Sequence, residues 1–371
     1  MKKLFILSAI LLLTGCVYPF SVDLEDIDES SLVVDANILL GYTSTIRLSY
    51  LQPLQVGQHA ELSGRPSAEV YLEDEAGNTY PAAGSNGVYT IPYDMSPTAD
   101  GNYRLTIVCA GNTYRSDWIT PVAPPRITDV SLVADESNVH VKLSMEDDGS
   151  GSGYAAAVID EIWYFHADFI KNLSYNPSTN TVSILAFPDM SKYWCWRKVA
   201  SNNQVMIDYT TLGGKVNNFT VSSFSRGNNR THSEYHVRVK LWNLTPQQYL
   251  YRKMLENNES IGGNLFSPEP GEVRGNVSCE NNPASKVYGY VNISRVTSET
   301  VSMDDRYSKW RIPEKTLMEA DESLYLDLYN LGYEPIDFIT NADQERVPGW
   351  GLGRCYDCTQ AGGTLDKPEF D

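Results

Sequence analysis

The chain has little positive charge and few histidines for its length. It contains 29 lysines and arginines against 47 aspartates and glutamates, with 5 histidines among 371 residues, so its formal net charge is −18. Proteins that bind nucleic acids or anionic lipid surfaces need basic side chains to displace counterions. The composition therefore argues against a nucleic-acid-binding protein, and we predict no nucleic-acid partner.

Recognised catalytic and cofactor-binding motifs are absent as well. The sequence contains no H-E-x-x-H, no G-x-S-x-G and no P-loop, and no dinucleotide-binding glycine pattern follows a predicted strand. The residues His232, Glu234 and His236 alternate along one face of a predicted strand, which continues as Arg238 and Lys240. We interpret this pattern as a solvated strand face. We therefore predict no catalytic residue, no cofactor and no metal site.

Only one long apolar run is present, and it lies at the start of the chain. Lys2 and Lys3 precede an apolar segment over residues 4–13, which a Thr-Gly pair separates from Cys16. About ten apolar residues are far fewer than the roughly twenty that cross a bilayer. A charged start, a short apolar run and small residues before a cysteine are instead typical of a bacterial lipoprotein signal. We expect a signal peptide over 1–15 and a lipid anchor on Cys16 that holds the mature chain to the bilayer.

The rest of the chain is predicted to be mainly β. Short segments of alternating apolarity recur at about ten-residue spacing over residues 31–123, with turn residues between them and no intervening helix. This spacing is typical of an immunoglobulin-like or transthyretin-like β-sandwich. A stiff proline-rich stretch, Pro121–Pro125, closes this region. We predict an acidic tether over 16–30, the N-terminal β-sandwich over 31–123, a second β-rich, sandwich-like domain over 126–310, and an irregular C-terminal segment over 311–371.

One helix is predicted within the second domain, over residues 245–257. Thr245 can cap it, Pro246 suits the first helical position, and Gln248 completes a capping box. We expect the helix to pack on the sheet through its apolar residues, which are Tyr249, Leu250, Met254 and Leu255.

Five cysteines remain once Cys16 is lipidated, and an exported chain meets an oxidising compartment that favours disulfides. Cys355 and Cys358 form a C-x-x-C without a second such pair or a nearby histidine, so a zinc site is not expected there. We predict the disulfides Cys355–Cys358 and Cys195–Cys279, with Cys109 as the free thiol. Pairing of Cys195 or Cys279 with the tail is the alternative, because spacing does not determine connectivity.

Two aromatic clusters are the candidate ligand contacts. The segments 163–165 and 193–196 place rings on both faces of their predicted strands, so at least one ring in each cluster faces away from the core. Exposed rings stack on sugars or anchor protein interfaces. The candidates are Trp163, Tyr164, Tyr193, Trp194 and Trp196, and packing within the core or between domains is the alternative.

The C-terminal tail resembles a family signature. Residues 354–364, RCYDCTQAGGT, and the following KPEF at 367–370 are similar to the end of a family of Bacteroidota lipoproteins grouped as domain of unknown function 4249. Further similar stretches are Gly101–Leu105, Trp194–Trp196, Gly263–Pro268 and Gly275–Cys279. The resemblance therefore extends over nearly the whole mature chain.

The resemblance implies an outer-membrane lipoprotein found beside TonB-dependent transporters, with no established activity. We therefore expect a non-enzymatic protein that binds a ligand for, or docks onto, a TonB-dependent outer-membrane transporter in nutrient uptake. The alternative is a surface hydrolase that acts on polysaccharide or peptide. Acidic residues between 23 and 29 resemble export signals of surface lipoproteins, and the sequence leaves open whether the anchored chain faces the outside or the periplasm.

Overall fold

The chain folds mainly into β-strands, as predicted. The structure is a computed structural model and describes residues 31–51, 66–97, 100–149, 151–201, 203–231, 233–260, 275–303 and 315–370. The predicted signal peptide, Cys16 and the acidic tether lie outside these ranges. Within the described residues, no helix has the length and apolar character needed to cross a membrane.

The first β-sandwich is a nine-stranded sheet that folds over on itself, in the order β17-β7-β6-β3-β4-β5-β2-β1-β18. Strand β4 pairs with β3 through its first half and with β5 through its second half. At this crossover a Cβ on Gly84 would lie 2.1 Å from the Val88 carbonyl oxygen, so only glycine fits. The two halves bury Leu72 and Leu105 against Val34 and Ile46. Its strands are β1 (Leu32–Leu39), β2 (Ser44–Tyr50), β3 (Ala68–Asp74), β4 (Thr79–Ser85), β5 (Val88–Ile91), β6 (Tyr103–Cys109), β7 (Asn112–Ser116), β17 (Val277–Cys279) and β18 (Val287–Ser294).

The last two of these strands correct the predicted domain boundaries. Residues 277–294 were assigned to the second domain, but β17 pairs with β7 and β18 runs parallel to β1 from Leu32↔Val287 to Leu39↔Ser294. These pairings cover two edges of the N-terminal sheet that would otherwise be open. Alternating apolarity reports which face of a strand is buried and not which sheet the strand joins.

The second β-sandwich packs a five-stranded sheet, β13-β10-β16-β19 with β14 beside β10, on a three-stranded sheet, β15-β9-β8. Strands β8 and β9 form an antiparallel hairpin. Val141 and Leu143 from the smaller sheet meet Ile159, Trp163 and Val239 from the larger one in the core. The strands are β8 (Arg126–Ala134), β9 (Asn138–Glu146), β10 (Tyr154–His166), β13 (Trp194–Ala200), β14 (Val205–Asp208), β15 (Lys215–Ser225), β16 (Tyr235–Asn243) and β19 (Thr297–Met303).

Helix α1 (Pro246–Ser260) lies where the two sandwiches meet. The predicted capping box is confirmed, because the Thr245 backbone N–H donates to Gln248 Oε1 (2.7 Å) and the Gln248 N–H donates to Thr245 Oγ1 (3.2 Å). Tyr249 stacks on Tyr154 with ring centroids 4.1 Å apart. Leu250 and Met254 are 58% and 39% exposed, so the predicted packing face is wrong for these two residues. The buried face is turned toward Tyr251, which packs on Tyr290.

The C-terminal segment is more regular than predicted. It contains β20 (Met318–Glu319), α2 (Tyr325–Asn330), β21 (Tyr333–Thr340) and β22 (Arg346–Leu352), next to a hairpin of β11 (Lys171–Asn176) and β12 (Thr181–Asp189). Trp350 is buried against Tyr175 and Tyr325, with ring centroids 5.4 and 5.0 Å apart. Strand β22 contains a proline and two glycines, which are typical of loops. The sequence therefore favours an irregular segment at this position. Short 3-10 turns occur at Tyr93–Met95, Asn229–Thr231, Glu322–Leu324 and Gly353–Cys355.

Both predicted disulfides are wrong. Cys195 of β13 bonds Cys358, 163 residues later, which is the alternative pairing with the tail. Cys279 lies in the core of the first sandwich and Cys195 in that of the second, so they cannot meet. At Gly363 a Cβ would lie 2.5 Å from Cys195 Cβ, so a tight turn of the tail places Cys358 beside its partner. Cys109 is free, as predicted, and Cys279 and Cys355 are free as well.

Candidate ligand-binding site

The outward face of the five-stranded sheet carries the candidate site. Side chains alternate along β10, so the even-numbered residues from 158 to 166 share this face and the odd-numbered residues from 159 to 165 point the other way. The antiparallel register with β16 places Lys240 opposite Val158, Arg238 opposite Asp160 and His236 opposite Ile162. Charged side chains from two neighbouring strands are thereby brought together.

Asp160, Arg238 and Lys240 form a buried ion cluster. Arg238 Nη2 donates to Asp160 Oδ2 over 2.6 Å, and Lys240 Nζ lies 3.0 Å from the same oxygen. The three residues are only 3%, 9% and 8% exposed. The predicted solvated strand face is therefore wrong at Arg238 and Lys240, because the first sandwich and the C-terminal tail cover this part of the sheet.

A cavity of about 490 Å³ separates the two sandwiches at this cluster, and we call it the junction cavity. One wall comes from β1, β2 and the loop between them. The opposite wall comes from β10, β13 and β16, together with Ser201, Asn203, Gln204 and Met206. Residues 252–256 of α1 close a third side. The cavity is thus built by residues that lie more than two hundred positions apart in the sequence.

Tyr42 covers the ion cluster from the first sandwich. Its ring centroid lies 5.2 Å from both Arg238 Cζ and Lys240 Nζ, and its hydroxyl hydrogen-bonds Ser298 Oγ over 2.8 Å. Cations over an aromatic face are attracted by the ring quadrupole. Tyr42 therefore holds both cations in place while lining the junction cavity.

Two buried polar atoms of the cavity wall have no hydrogen-bond partner among the described residues. They are Asp160 Oδ1, an acceptor, and Gln204 Nε2, a donor. Buried polar atoms are nearly always paired, so each unpaired one calls for a physical explanation. Both belong to residues that line the same cavity.

An aromatic ladder continues the outward face beyond the cavity, formed by Tyr164, His166, Tyr193, Trp194 and Trp196. The Tyr164 ring lies 5.0 Å from Trp194 and 4.7 Å from Trp196, and His166 stacks on Tyr193 at 5.1 Å. All five side chains are half-buried. Burial, and next the charge of Asp168, raise the pKa of the Tyr193 phenol. Four of the five predicted ligand contacts lie here, and their contact with a ligand remains a prediction.

Trp163 does not belong to this face. It is 2% exposed and packs in the core of the second sandwich, where the Arg230 guanidinium lies 4.6 Å from its ring. The odd position of Trp163 on β10 turns it away from Tyr164. The structure therefore removes Trp163 from the set of ligand contacts.

The C-terminal tail lies between the ladder and the junction cavity. Trp196 and Thr364 exchange two backbone hydrogen bonds of 2.7 and 2.8 Å, and Lys367 Nζ lies 4.4 Å above the Trp196 ring. Phe370 packs 4.8 Å from Arg238 Cζ. The tail thus covers the sheet beside the buried ion cluster, above a smaller cavity of about 370 Å³.

His236 contacts Ser302 and Glu234 on the same face. Its Nδ1 lies 2.6 Å from Ser302 Oγ and its Nε2 lies 3.3 Å from Glu234 Oε2. Lys367 Nζ also lies 3.3 Å from Nε2 and can only donate to it. His232 lies outside the described residues, and among those described no three His, Cys, Asp or Glu side chains form a group able to hold a metal.

Sequence reasoning missed Asp160, Gln204 and Tyr42, and treated Arg238 and Lys240 as solvated. One signal was available: β10 reads VIDEIW, with two adjacent acids inside an apolar strand. Adjacent residues of a strand face opposite sides. Each acid therefore had to meet a buried partner on its own side, which points to Asp160 as well as to Glu161.

The fold and the site define a protein of two β-sandwiches with a polar cavity at their junction. The chain belongs to the family described as "Domain of unknown function (DUF4249)", which matches residues 17–300. The resemblance found in the sequence is thereby confirmed. None of the curated proteins matches the chain.

Two solved structures illustrate how distant the structural matches are. A "putative carbohydrate binding protein" from Bacteroides uniformis is 10% identical, with a TM-score of 0.17 over 74% of this chain and 99% of the other. A DUF3823 family protein from Parabacteroides merdae is 14% identical, with a TM-score of 0.15 over 57% of this chain and 89% of the other. Similarities at these TM-scores carry no argument about this protein's ligand.

Proposed function

We propose that this protein is a non-enzymatic, lipid-anchored protein of the outer membrane that binds a small polar ligand in the junction cavity and serves a TonB-dependent transporter in nutrient uptake. The observation that carries the proposal is the buried cluster of Asp160, Arg238 and Lys240, of which Asp160 and Lys240 line the cavity. Removing charges from water costs several kcal/mol per ion, and apolar packing is often at least as stable. Charges buried beside a cavity are better explained by a ligand than by stability.

The size and setting of the cavity support the same function. Ligand pockets commonly enclose about 300–1,000 Å³ and occur between domains, and the junction cavity has about 490 Å³. The aromatic ladder provides half-buried rings on the same sheet face, suited to extend contact with a larger ligand. The membrane anchor and the transporter rest on the lipoprotein signal and the family resemblance.

The ligand proposal is tested by native mass spectrometry of the mature protein purified from its source cells without denaturation. We expect a bound small molecule that is released on unfolding and is lost from a Tyr42→Ala variant. The control is Trp118→Ala, since Trp118 is 41% exposed on the first sandwich and lies outside the cavity. Ligand retained equally by both variants, or no bound ligand in the wild type, would contradict the proposal.

The transporter proposal is tested by co-purification from detergent-solubilised outer membranes that carry a tagged transporter. We expect enrichment of this protein with the tag. Equal recovery with and without the tagged transporter would leave the ligand-binding function intact and remove the partner. Intact-cell protease treatment separates the two membrane faces, because only a surface-exposed chain is cleaved before lysis.

A surface hydrolase is the second candidate, and the Ser302–His236–Glu234 chain is the observation that favours it. A serine nucleophile needs an adjacent histidine that accepts its proton and an acid that orients the histidine. Labelling with a fluorophosphonate probe tests this arrangement. Labelling that disappears in Ser302→Ala would favour the hydrolase, whereas equal signals from both proteins would exclude Ser302 as the nucleophile.

A further inference from the structure

We infer that the junction cavity takes an uncharged saccharide, a sugar that offers hydroxyl groups and carries neither a carboxylate nor an amine. The inference rests on the proposed function, since it names the ligand class for the same cavity. It follows from three features of the cavity wall: charged side chains that have partners within the protein, one unpaired acceptor with one unpaired donor, and an aromatic ring among uncharged residues.

The charges where α1 meets the first sandwich are balanced. Two cations, Arg47 and Arg252, line this side of the cavity together with two acids, Asp35 and Glu256. Arg252 Nη2 lies 3.6 Å from Asp35 Oδ1, and Arg47 stands directly opposite Asp35 in the antiparallel pairing of β1 with β2. Opposite charges at such cross-strand positions attract each other. This side of the wall therefore provides no net charge that selects an ion.

The charged side chains on the side of the second sandwich have partners as well. Lys240 Nζ lies 3.0 Å from Asp160 Oδ2, and Lys198 Nζ donates to the Glu369 carbonyl oxygen over 2.8 Å. A ligand amine that reached Asp160 would also lie next to Lys240, and a ligand carboxylate at the same place would lie next to Asp160 itself. Like charges at such short distances repel each other. An uncharged ligand group avoids both repulsions.

Two unpaired atoms of the wall define the hydrogen bonds that the ligand must make. Asp160 Oδ1 is an acceptor without a donor, and Gln204 Nε2 is a donor without an acceptor among the described residues. A hydroxyl group donates and accepts at one rotatable position, so neighbouring hydroxyls of one sugar can pair with both atoms. An amide carries its donor and its acceptor on different atoms in fixed directions. The pair of atoms therefore favours a sugar over a peptide.

The remaining wall suits the mixed polar and apolar surface of a sugar. Tyr42 adds an aromatic ring to the lining, and rings of this kind pack on the C–H faces of saccharides. Val158 and Met206 are apolar residues of the opposite wall. The volume of about 490 Å³ is in the range that holds drug-sized ligands, and a disaccharide is of that size. Hydroxyl and amide side chains of the lining include Asn37, Thr43, Thr45, Ser201 and Asn203.

Isothermal titration calorimetry of the full mature protein tests the inference with matched probes. The neutral panel is cellobiose, maltose, galactobiose, mannobiose and xylobiose, and N-acetyl-alanyl-alanine amide serves as a neutral ligand without hydroxyls. We expect at least one neutral disaccharide to bind, and to bind at least tenfold more tightly than the capped dipeptide. Its uronic-acid form and its amino-sugar form should each bind at least tenfold more weakly. Raising the salt concentration should leave the affinity for the neutral sugar unchanged.

Two variants separate hydrogen bonding from charge. Gln204→Leu removes the donor that meets a ligand hydroxyl, and we expect it to weaken the neutral disaccharide by about tenfold. Arg47→Gln removes an exposed cation of the lining and should change the affinity by less than about twofold, because an uncharged ligand makes no ion pair with it. Trp118→Ala is the control for both, and the thermal unfolding curve of each variant shows whether it folds.

Four results would overturn the inference: a charged form that binds as tightly as its neutral counterpart, a capped dipeptide that does so, unchanged saccharide affinity in folded Gln204→Leu, or no binding of any sugar of the panel. If native mass spectrometry still finds a ligand that is lost in Tyr42→Ala, the proposed function stands and only the saccharide class falls. If no ligand depends on Tyr42, both fall.

Discussion

Asp160 and Glu161 are neighbours on β10, but they point to opposite sides of the strand, and their buried carboxylates differ in hydrogen bonding. Glu161 accepts hydrogen bonds from Arg230 Nε (2.7 Å) and the Tyr235 hydroxyl (2.7 Å) on one oxygen and from Arg230 Nη2 (3.0 Å) on the other. Asp160 uses only one of its oxygens, and two cations converge on it. Both oxygens of Glu161 are hydrogen-bonded, whereas Asp160 has one oxygen without a hydrogen-bond partner among the described residues.

The difference separates a structural ion pair from a candidate binding group. The Glu161 side packs in the core of the second sandwich, where a carboxylate oxygen without a hydrogen bond would be destabilising. Both oxygens of Glu161 are hydrogen-bonded within the protein. The Asp160 side opens on the junction cavity, where an external group can complete it. Burial alone therefore does not identify a site, whereas a buried polar atom without a partner beside a cavity points to one.

The largest expected effect is on stability in Asp160→Asn. This change removes the buried carboxylate that Arg238 and Lys240 both contact, and we expect the free energy of unfolding to fall by about 3–5 kcal/mol. Urea unfolding followed by tryptophan fluorescence measures it. Asp129→Asn, at an exposed position on β8, should change the same quantity by less than about 0.5 kcal/mol. A loss near that of the control would mean that the cluster behaves as a solvated surface group.

Glu161→Gln should cost less, about 2–3 kcal/mol, because only one cation loses its partner. The Arg230 side chain is also 21% exposed and can regain water, compared with 11% for Arg238 and 10% for Lys240. The same urea series measures this variant. The double variant Glu161→Leu, Arg230→Met should recover most of the lost free energy of unfolding. A larger loss in Glu161→Gln than in Asp160→Asn would contradict the expected order.

The Tyr235→Phe variant tests the Glu161 side of β10 through the pH dependence of the free energy of unfolding. Burial first, and then the charge of Glu161, hold the pKa of Tyr235 well above its ordinary value. A raised folded-state pKa gives a contribution that is fully present below about pH 10 and is lost as the pH rises through the folded value. The variant loses one charged hydrogen bond, so at pH 7 it should be about 1.5 kcal/mol less stable. We expect this difference in stability to be smaller at pH 11 in guanidinium titrations. A difference that does not change with pH would contradict the raised pKa of Tyr235.

Phe370→Ala should have the smallest effect. The ring packs on Arg238 from the tail, and a cation–π contact of this kind contributes about 1 kcal/mol. Thermal unfolding measures the loss, with Phe187→Ala as the control because Phe187 is 84% exposed. Equal midpoints for the two variants would show that the tail adds nothing to the burial of Arg238.

The sequence predicts those features that depend on neighbouring residues. The capping box of α1, the alternation along β10 and β16, and the mainly β fold are all set by local pattern, and the structure confirms them. From the sequence, both Trp163 and Tyr164 are predicted as ligand contacts. Which of the two faces the core is not known until the register of the strand in its sheet is known.

The features that sequence reasoning missed depend on distant residues. Arg238 and Lys240 look solvated along β16 because the residues that bury them, Tyr42 and Phe370, lie almost two hundred positions before and more than one hundred after. The partner of Cys195 was equally beyond reach, since a tail turn 163 residues later supplies it.

The path of the chain between the sandwiches has a mechanical consequence. Strand β18 ends at Ser294 in the first sandwich and β19 begins at Thr297 in the second, so two residues join them, while Pro121–Pro125 form another crossing. Two short tethers at separate points prevent the rigid halves from swinging about a single hinge. A ligand would then enter a preformed cavity without a large ordering penalty. Small-angle scattering profiles with and without ligand should superimpose.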